Sequence, residues 1–287
     1  NQPARGPLAD LRVLDLSRVL AGPYCAMMLG DMGASVIKVE QPGSGDDTRR
    51  WGPPFAEGES AYYLAVNRNK RSITLNLKDP QGQEILRQLI AESDILIENF
   101  KKGTLERLGF GYDAVHATHP RIIYCSVSGY GAEGPYSDRP GYDIAAQAMG
   151  GLMSLTGAPD GEAQKAGLPL ADLTTGLFAC SAILGALHHR TLTGQGQHVE
   201  ISLLESIVAL LINVATGYLI TGEPPSRFGN AHPNLVPYQL FRTRDGALIA
   251  GAGNDRQFGA LCAVLGVPDL ATDNRFRTNA EIGRAHV

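Results

Sequence analysis

Along the first half of the chain, short apolar runs alternate with segments of helical spacing. Residues 11–16 and 94–98 are compact apolar runs, 34–40 and 72–77 alternate between apolar and polar, and 121–127 is rich in β-branched residues. Each predicts a strand. Residues 24–32, closed by Gly33, predict a helix. So do residues 80–91, where Ile85, Leu86, Leu89 and Ile90 recur at helical spacing behind Asp79 and Pro80. A short helix is expected at 105–108, a turn at 17–23 and a loop at 42–46. Strands alternating with helices at this spacing predict an α/β fold built on a doubly wound parallel sheet.

From about Tyr142 the pattern changes. Residues 144–155, 173–192 and 201–220 are long apolar stretches that predict buried helices. The last is long enough to be tested as a membrane span. Glu205, Ser206 and Asn213 interrupt it, and a core helix is the expectation. After Pro224 and Pro225 a strand at 247–252 and a helix at 257–265 predict a smaller α+β domain. The expected organisation is a large α/β domain over residues 1–223 and the start of a smaller one over 224–280. Residues 281–287 read as a translated adapter, so the C-terminal part of the protein is expected to be missing. Residues 1–7 lack the apolar core of a signal peptide.

The chain has 287 residues, 44% hydrophobic and 19% charged, which excludes wholesale disorder. A net charge of −4 gives no reason to expect nucleic acid or an anionic membrane as a partner. The four cysteines, Cys25, Cys125, Cys180 and Cys262, contain no C-x-x-C pair. They read as reduced intracellular thiols, which points to the cytoplasm, or to the mitochondrial matrix for a eukaryotic source. The histidines lack metal-ligand spacing, so no metal site is expected.

Candidate chemistry centres on Asp172, just ahead of the apolar run that begins at Leu173. A carboxylate there can cap the helix through its free N–H groups. It can also act as a nucleophile toward an activated acyl group. The run Gly-Tyr-Gly-Ala-Glu-Gly at 129–134 is a literal G-x-G-x-x-G behind an expected strand. Pro135 and Pro140 follow it where the dinucleotide fingerprint requires a helix, so it reads as a pocket-shaping turn. No G-x-S-x-G or Walker A motif occurs.

Five segments together resemble one family. They are Leu-Asp-Leu-Ser-Arg-Val-Leu-Ala-Gly-Pro at 14–23, Val-Ile-Lys-Val-Glu at 36–40 with Gly-Ser-Gly-Asp at 43–46, Asn-Arg-Asn-Lys-Arg-Ser at 67–72, Glu-Asn-Phe at 98–100, and Leu-Ala-Asp-Leu-Thr-Thr-Gly at 170–176. In order and spacing they resemble the family III CoA-transferases (CaiB/BaiF type), a group that includes oxalate and carnitine CoA-transferases and α-methylacyl-CoA racemases. Residues 52–55, 62–64 and 236–238 are most similar to its succinate–hydroxymethylglutarate branch.

The resemblance implies that Asp172 is the catalytic residue, attacking an acyl-CoA to form an aspartyl–acyl anhydride. It implies that a field from the helix beginning at Leu173 keeps Asp172 ionised. Coenzyme A enters as a cosubstrate, with no permanently bound cofactor, and its contacts are expected at Arg18, Val19, Leu20, Ala21, Leu75, Asn99, Phe100 and Arg107. Partners would be an acyl-CoA, a carboxylic acid and a second copy of the chain in an interlocked homodimer. Gln41 stands where many relatives carry Arg, leaving Lys38, Arg49 or Arg50 to supply a cation there. Tyr142 stands where the racemases carry His, which favours transfer over racemisation because abstraction of an α-proton needs a base. The poly-glycine loop of the oxalate enzyme is absent, and residues 228–232, ending in His232, are its expected counterpart. A racemase, or a non-catalytic CoA-binding fragment, is the alternative reading.

Overall fold

The computed structural model describes residues 6–284. Residues 1–5, where the segment without a signal-peptide core begins, and 285–287, where the adapter-like tail ends, lie outside the described residues. The chain opens with β1 (Arg12–Asp15), α1 (Ala21–Asp31) and β2 (Ser35–Glu40). A ribbon of β3 (Phe55–Ala56) and β4 (Glu59–Ser60) leads into α2 (Ala61–Asn67). Then come β5 (Lys70–Thr74), α3 (Pro80–Ala91), β6 (Ile95–Glu98), α4 (Thr104–Arg107), α5 (Tyr112–Thr118) and β7 (Ile123–Ser128). Next are α6 (Asp143–Met149), α7 (Leu152–Leu155), α8 (Leu170–Thr193), β8 (His198–Ser202), α9 (Leu203–Leu210) and α10 (Ile212–Thr221). The chain forms two compact units, Asn1–Leu152 with Lys165–Thr216, and Met153–Gln164 with Gly217–Val287.

In the first unit six strands form one sheet in the order β5-β2-β1-β6-β7-β8, every pair parallel. Strands buried on both faces need apolar side chains on both, and two separate cores result. One packs Cys25 and Leu29 of α1, Ala179 and Ile183 of α8 and Ile207 of α9 against Val13, Ile97 and Cys125. The other packs Leu86 and Ile90 of α3, Leu105 and Val115 against Leu14, Leu96 and Tyr124. The sheet is therefore doubly wound, as expected. Helix α3 spans the expected residues, with Asp79 accepting a hydrogen bond from Gln81 N–H (2.8 Å) ahead of Pro80. The four cysteines are free and buried.

A buried lattice of charges closes the C-terminal edge of the sheet. Lys70 Nζ donates to Asp15 Oδ2 (2.9 Å), Asn67 Oδ1 (2.9 Å) and the Pro23 carbonyl (2.8 Å). Lys38 Nζ donates to the Ser17 carbonyl (2.7 Å) and pairs with Asp46 (2.9 Å). Asp15 Oδ1 accepts from the Ser17 N–H and hydroxyl. Burial works to raise the Asp15 carboxyl, but Lys70 and Lys38 outweigh it and hold the group below its ordinary value. Burial is also the main force lowering Lys70.

Three expectations need correction. Residues 201–220 are not one buried helix. Residues His198–Ser202 add the sixth strand, and α9 and α10 meet at a 77° bend, with Leu219 of α10 80% exposed. An unbroken apolar run carries no period to separate strand from helix. The capping box at Ser202 and Glu205, where Ser202 Oγ accepts the Glu205 N–H (3.2 Å) and donates to its carboxylate (2.7 Å), marks the true helix start. The expected 144–155 helix breaks at Gly150 and Gly151, because Gly151 takes φ +89 and a side chain at Gly150 would meet Ile207 at 2.5 Å. The strand expected at 72–77 sits at Lys70–Thr74, so Leu75 and Leu77 lie beyond its end.

The second unit carries an antiparallel pair, β9 (Tyr238–Arg242) with β10 (Ala247–Gly251), then α11 (Asp255–Val264) and α12 (Asn279–Arg284). Among the described residues α8 is long and apolar enough to cross a membrane by length and composition, and its Ala179, Cys180 and Ile183 lie in the first core. Over 129–134 no helix opens, and the next one is α6. A Cβ on Gly129 would lie 2.4 Å from the Gly141 Cα, so that glycine serves a close backbone crossing.

Gly129→Ala should destabilise the chain by about 3 kcal/mol with no compensating ligand effect, checked by chemical denaturation. Lys70→Ala should cost about 3–5 kcal/mol, because Asp15 is left buried without its closest cation. A smaller loss than Gly129→Ala would show that the lattice contributes little.

Candidate active site

The strand order places a topological switch between β1 and β6, since the chain steps outward from β1 to β2 and β5 and then returns to the other side of β1. In open α/β sheets ligands bind beyond the carboxyl ends of the strands at such a point. A cavity of about 490 Å³ lies there. Its lining includes Ser17, Arg18, Lys38, Gln41, Leu75, Lys78, Phe100 and Thr104.

The turn after β1 is held in a strained shape. Val19 has φ +71, a region that a β-branched residue rarely occupies. Asp46 Oδ1 accepts the Val19 N–H (3.3 Å) as well as the Thr48 N–H and hydroxyl. Asn99, from the turn after β6, accepts the Arg18 N–H (3.0 Å) and donates to the Arg18 carbonyl (2.7 Å). This leaves the Arg18 guanidinium exposed beside Asp47 (3.1 Å). Leu20 and Ala21 are buried where α1 starts, which begins at Ala21 with Pro23 in its first turn and not after it as expected.

Of the expected CoA contacts, Arg18, Leu75 and Phe100 therefore meet in the cavity. Asn99 braces the Arg18 turn from outside the lining, and Val19, Leu20 and Ala21 form its backbone. Arg107 is exposed on α4 and donates to Thr104 Oγ1 (3.2 Å), which is part of the lining. The three cations expected to serve in place of an arginine at position 41 are differently disposed. Lys38 is buried in the charge lattice. Arg49 is bound to Glu40, Glu59 and Tyr63, and holds the Glu40 carboxyl, against its burial, down to about 2. Arg50 is exposed near Asp47 (3.6 Å). Lys78, which no sequence signal singles out, is a lining cation.

Asp172 lies in the first turn of α8, which begins at Leu170 behind Pro169. The expected start at Leu173 is corrected by one turn, and Asp172 is not the cap. Asp143 takes that role from another helix, its Oδ1 accepting the Ala171 N–H (2.8 Å) and the Asp172 N–H (3.2 Å). Gln147 holds Asp143 in place by donating to its Oδ2 (2.6 Å). Burial first, and then the like charge of Asp143, push the Asp172 carboxyl up to about 7. The expectation that the helix field keeps it firmly ionised is therefore reversed: desolvation and a neighbouring carboxylate outweigh a partial charge.

Tyr62 belongs to the same site. Its hydroxyl is raised to about 12 by burial and then by the charges of Asp172 and Asp143. Ser60 caps α2 by accepting the Tyr62 N–H, and Trp51 packs edge-on against the Tyr62 ring (5.1 Å). In the sequence Tyr62 stands within a family-like segment, with no spacing that links it to Asp172. Helix α8 comes so close to the α1 turn that a side chain at Gly176 would meet the Ala21 carbonyl at 2.8 Å. That contact sets the turn after Asp172 against the start of α1, which follows the turn carrying Arg18. His232, in the second unit, accepts the Asn234 and Leu235 N–H groups at Nδ1. Tyr142 is exposed ahead of α6. Among the described residues no cluster of three metal-ligating side chains occurs.

Comparison with known proteins is consistent with this geometry. The family described as CoA-transferase family III matches residues 8–286. A succinyl-CoA:glutarate CoA-transferase of Mus musculus is 52% identical over 95% of this chain and 63% of its own length. A succinate–glutarate CoA-transferase of Agrobacterium fabrum is 50% identical over 95% of this chain and 70% of its own length. The crystal structure of a CaiB/BaiF family protein from Brucella suis superposes with a TM-score of 0.85 and 49% identity, covering 99% of this chain and 76% of that one. This chain thus spans less than two thirds of the mouse relative. The match along nearly its whole length, on the fold described above, shows that the chain belongs to CoA-transferase family III.

Proposed function

We propose that this protein transfers coenzyme A from a succinyl-CoA-like donor to a dicarboxylic acid, with Asp172 as the covalent nucleophile. The observation that carries the reading is a half-buried carboxylate on the first turn of α8, one turn ahead of Gly176, where α8 meets the start of α1 directly behind the turn that lines the switch-point cavity. The names of the relatives support the substrate class.

The chemistry follows from the groups present. An ionised Asp172 oxygen attacks the acyl carbon of the thioester, the C–S bond breaks, and a mixed anhydride forms with CoA leaving as thiolate. Exchange at the aspartyl carbonyl replaces the donor acid with the acceptor. The thiolate then attacks the acceptor's acyl carbon, and Asp172 leaves as carboxylate. The thioester's activation is kept throughout, provided that water is excluded from the anhydride. Arg18 and Lys78 supply positive charge for the CoA phosphates at the cavity, with Arg107 beyond its edge. Phe100 and Leu75 supply apolar surface for the base. Tyr62 is placed to donate to charge developing near Asp172. An exposed tyrosine stands at position 142 where the racemases carry a histidine base, which favours transfer over racemisation. The exposed Leu177, Phe178, Leu184 and Leu192 of α8 fit the expected interlocked homodimer, in which a second chain covers them.

Asp172→Asn should abolish transfer while the dissociation constant for CoA stays within about threefold of wild type. Wild-type protein given succinyl-CoA and hydroxylamine should carry a hydroxamate on Asp172 by mass spectrometry. Retained turnover in the variant would remove the assignment. Because only the ionised carboxylate attacks, the transfer rate should climb as pH rises through about 7.

The same raised carboxyl makes the folded state bind a proton that the unfolded state has released. Its stabilising effect is complete below the ordinary value of 3.8 and is lost as pH rises through about 7. Asp172→Asn should therefore match wild-type stability near the low end and exceed it by about 1–3 kcal/mol above neutrality, read from denaturation midpoints at several pH values.

A further inference from the structure

Glu98, Ser126 and His198 end up side by side on one face of the sheet, from β6, β7 and β8, and no step of the transfer uses them. Glu98 pairs with Ser126 in the parallel register, which sets the Ser126 hydroxyl beside its carboxylate, where it favours the charged form. On the other side Ser126 Oγ lies 3.0 Å from His198 Nε2. The second Glu98 contact runs the opposite way, toward the cavity: Oε2 accepts the Phe100 N–H at 2.8 Å. Phe100 lines the cavity, and Asn99 between them clamps the Arg18 turn through two main-chain bonds. The His198 ring is fixed in turn by stacking on Tyr112 (4.5 Å, 14° between planes) and by an edge contact with Tyr124.

We propose that Glu98 is a positioning residue for coenzyme A: tethered through Ser126 to His198, its carboxylate holds the Asn99–Phe100 wall in the shape that binds the ligand. This inference rests on the reading of the cavity as the CoA site. A charged acceptor grips the Phe100 N–H about twice as strongly as a neutral one, so the ionised form holds the wall tighter than the protonated form. Burial first, opposed by the Ser126 and Phe100 bonds and aided by Glu106, pushes the Glu98 carboxyl up to about 7. The switch between the two forms therefore falls in the neutral range. The groups facing the cluster are Glu106 on α4, Asp113 and His116 on α5, and Glu200 on β8. Glu200, Asp113 and Glu106 work to raise His198, and burial, the larger influence, lowers it. His198 thus stays largely neutral where Glu98 titrates, and the proton change is centred on Glu98.

The test is calorimetric titration of the full chain with CoA itself, for wild type and Glu98→Gln, across the neutral pH range. Glutamine keeps the shape and the acceptor for Phe100 but not the charge. Glu98→Gln should weaken CoA binding about fivefold near pH 8, and the ratio of the two dissociation constants should close toward one near pH 6. Taking the ratio cancels the titration of the ligand's own phosphates. Ser126→Ala removes a bond that favours the charged form, so it should move the midpoint of this pH dependence upward, and it serves as the second variant should Glu98→Gln not fold. In turnover the loss should appear in KM for the acyl-CoA, with kcat within about twofold. Equal CoA affinity of folded Glu98→Gln and wild type at every pH overturns the proposal, as does a weakening that does not change with pH. Wild-type protein that fails to bind CoA overturns both this inference and the cavity assignment. CoA binding with the predicted pH dependence but no transfer would leave Glu98's role standing and remove only the catalytic reading.

Discussion

The geometry at the mouth of the sheet depends on two buried lysines. Lys70 and Lys38, on one face of neighbouring strands, meet Asp15 and Asp46 at the mouth of the sheet. Each also holds a backbone carbonyl, Pro23 for Lys70 and Ser17 for Lys38. Two lysines against two aspartates make a neutral set, and this is what lets four formal charges sit away from water. Apolar replacements of equal volume would fill the space. They would not fix the direction of three carbonyl and amide groups in the Ser17–Pro23 segment, and the unusual backbone of Val19 would be without the Asp46 acceptor that holds it. The lattice therefore matters more for shape than for net stability.

A similar logic governs Asp172. Its helix could have been capped by its own carboxylate, the commonest solution, which would also have lowered that carboxyl. Asp143 does the capping instead. The Asp172 carboxylate, the proposed nucleophile, is thereby freed from the capping role, and burial first, then the charge of the residue that took that role, raise it toward neutrality. A carboxylate with few hydrogen bonds and little water around it is poorly stabilised, and that is the state in which forming a covalent bond is easiest.

Much of this is legible in the sequence. Alternation of short strands and helices points to the doubly wound sheet. Aspartate and proline at 79–80 mark the start of α3, and the five family segments locate Arg18, Phe100 and Asp172. What cannot be read has physical causes. Residues 198–220 are apolar over most of their length, and only the Ser202–Glu205 capping pair records that a strand precedes the helix. At Asp172 the helix field is the one influence with a local signature, because the desolvating neighbours and Asp143 lie far away in sequence. Lys38 and Arg49 look like spare cations because a buried, paired charge and a free one are written with the same letter. Ser126 and His198 each look ordinary, and only the register of three parallel strands sets them next to Glu98.

The order of the strands also bears on synthesis at the ribosome. Five strands of the sheet are complete once β7 has emerged, but the outer edge of β7 pairs only with β8. Between them the chain makes α6 and α7, leaves for the other unit at 153–164, and returns to lay down the apolar α8. Throughout that interval a nascent chain carries an unpaired parallel edge and a growing stretch of uncovered leucine, isoleucine and phenylalanine. Such species are prone to associate with one another. Slow translation across this region, or a holding chaperone engaged during it, would affect yield more than any change made to residues that are already folded by then.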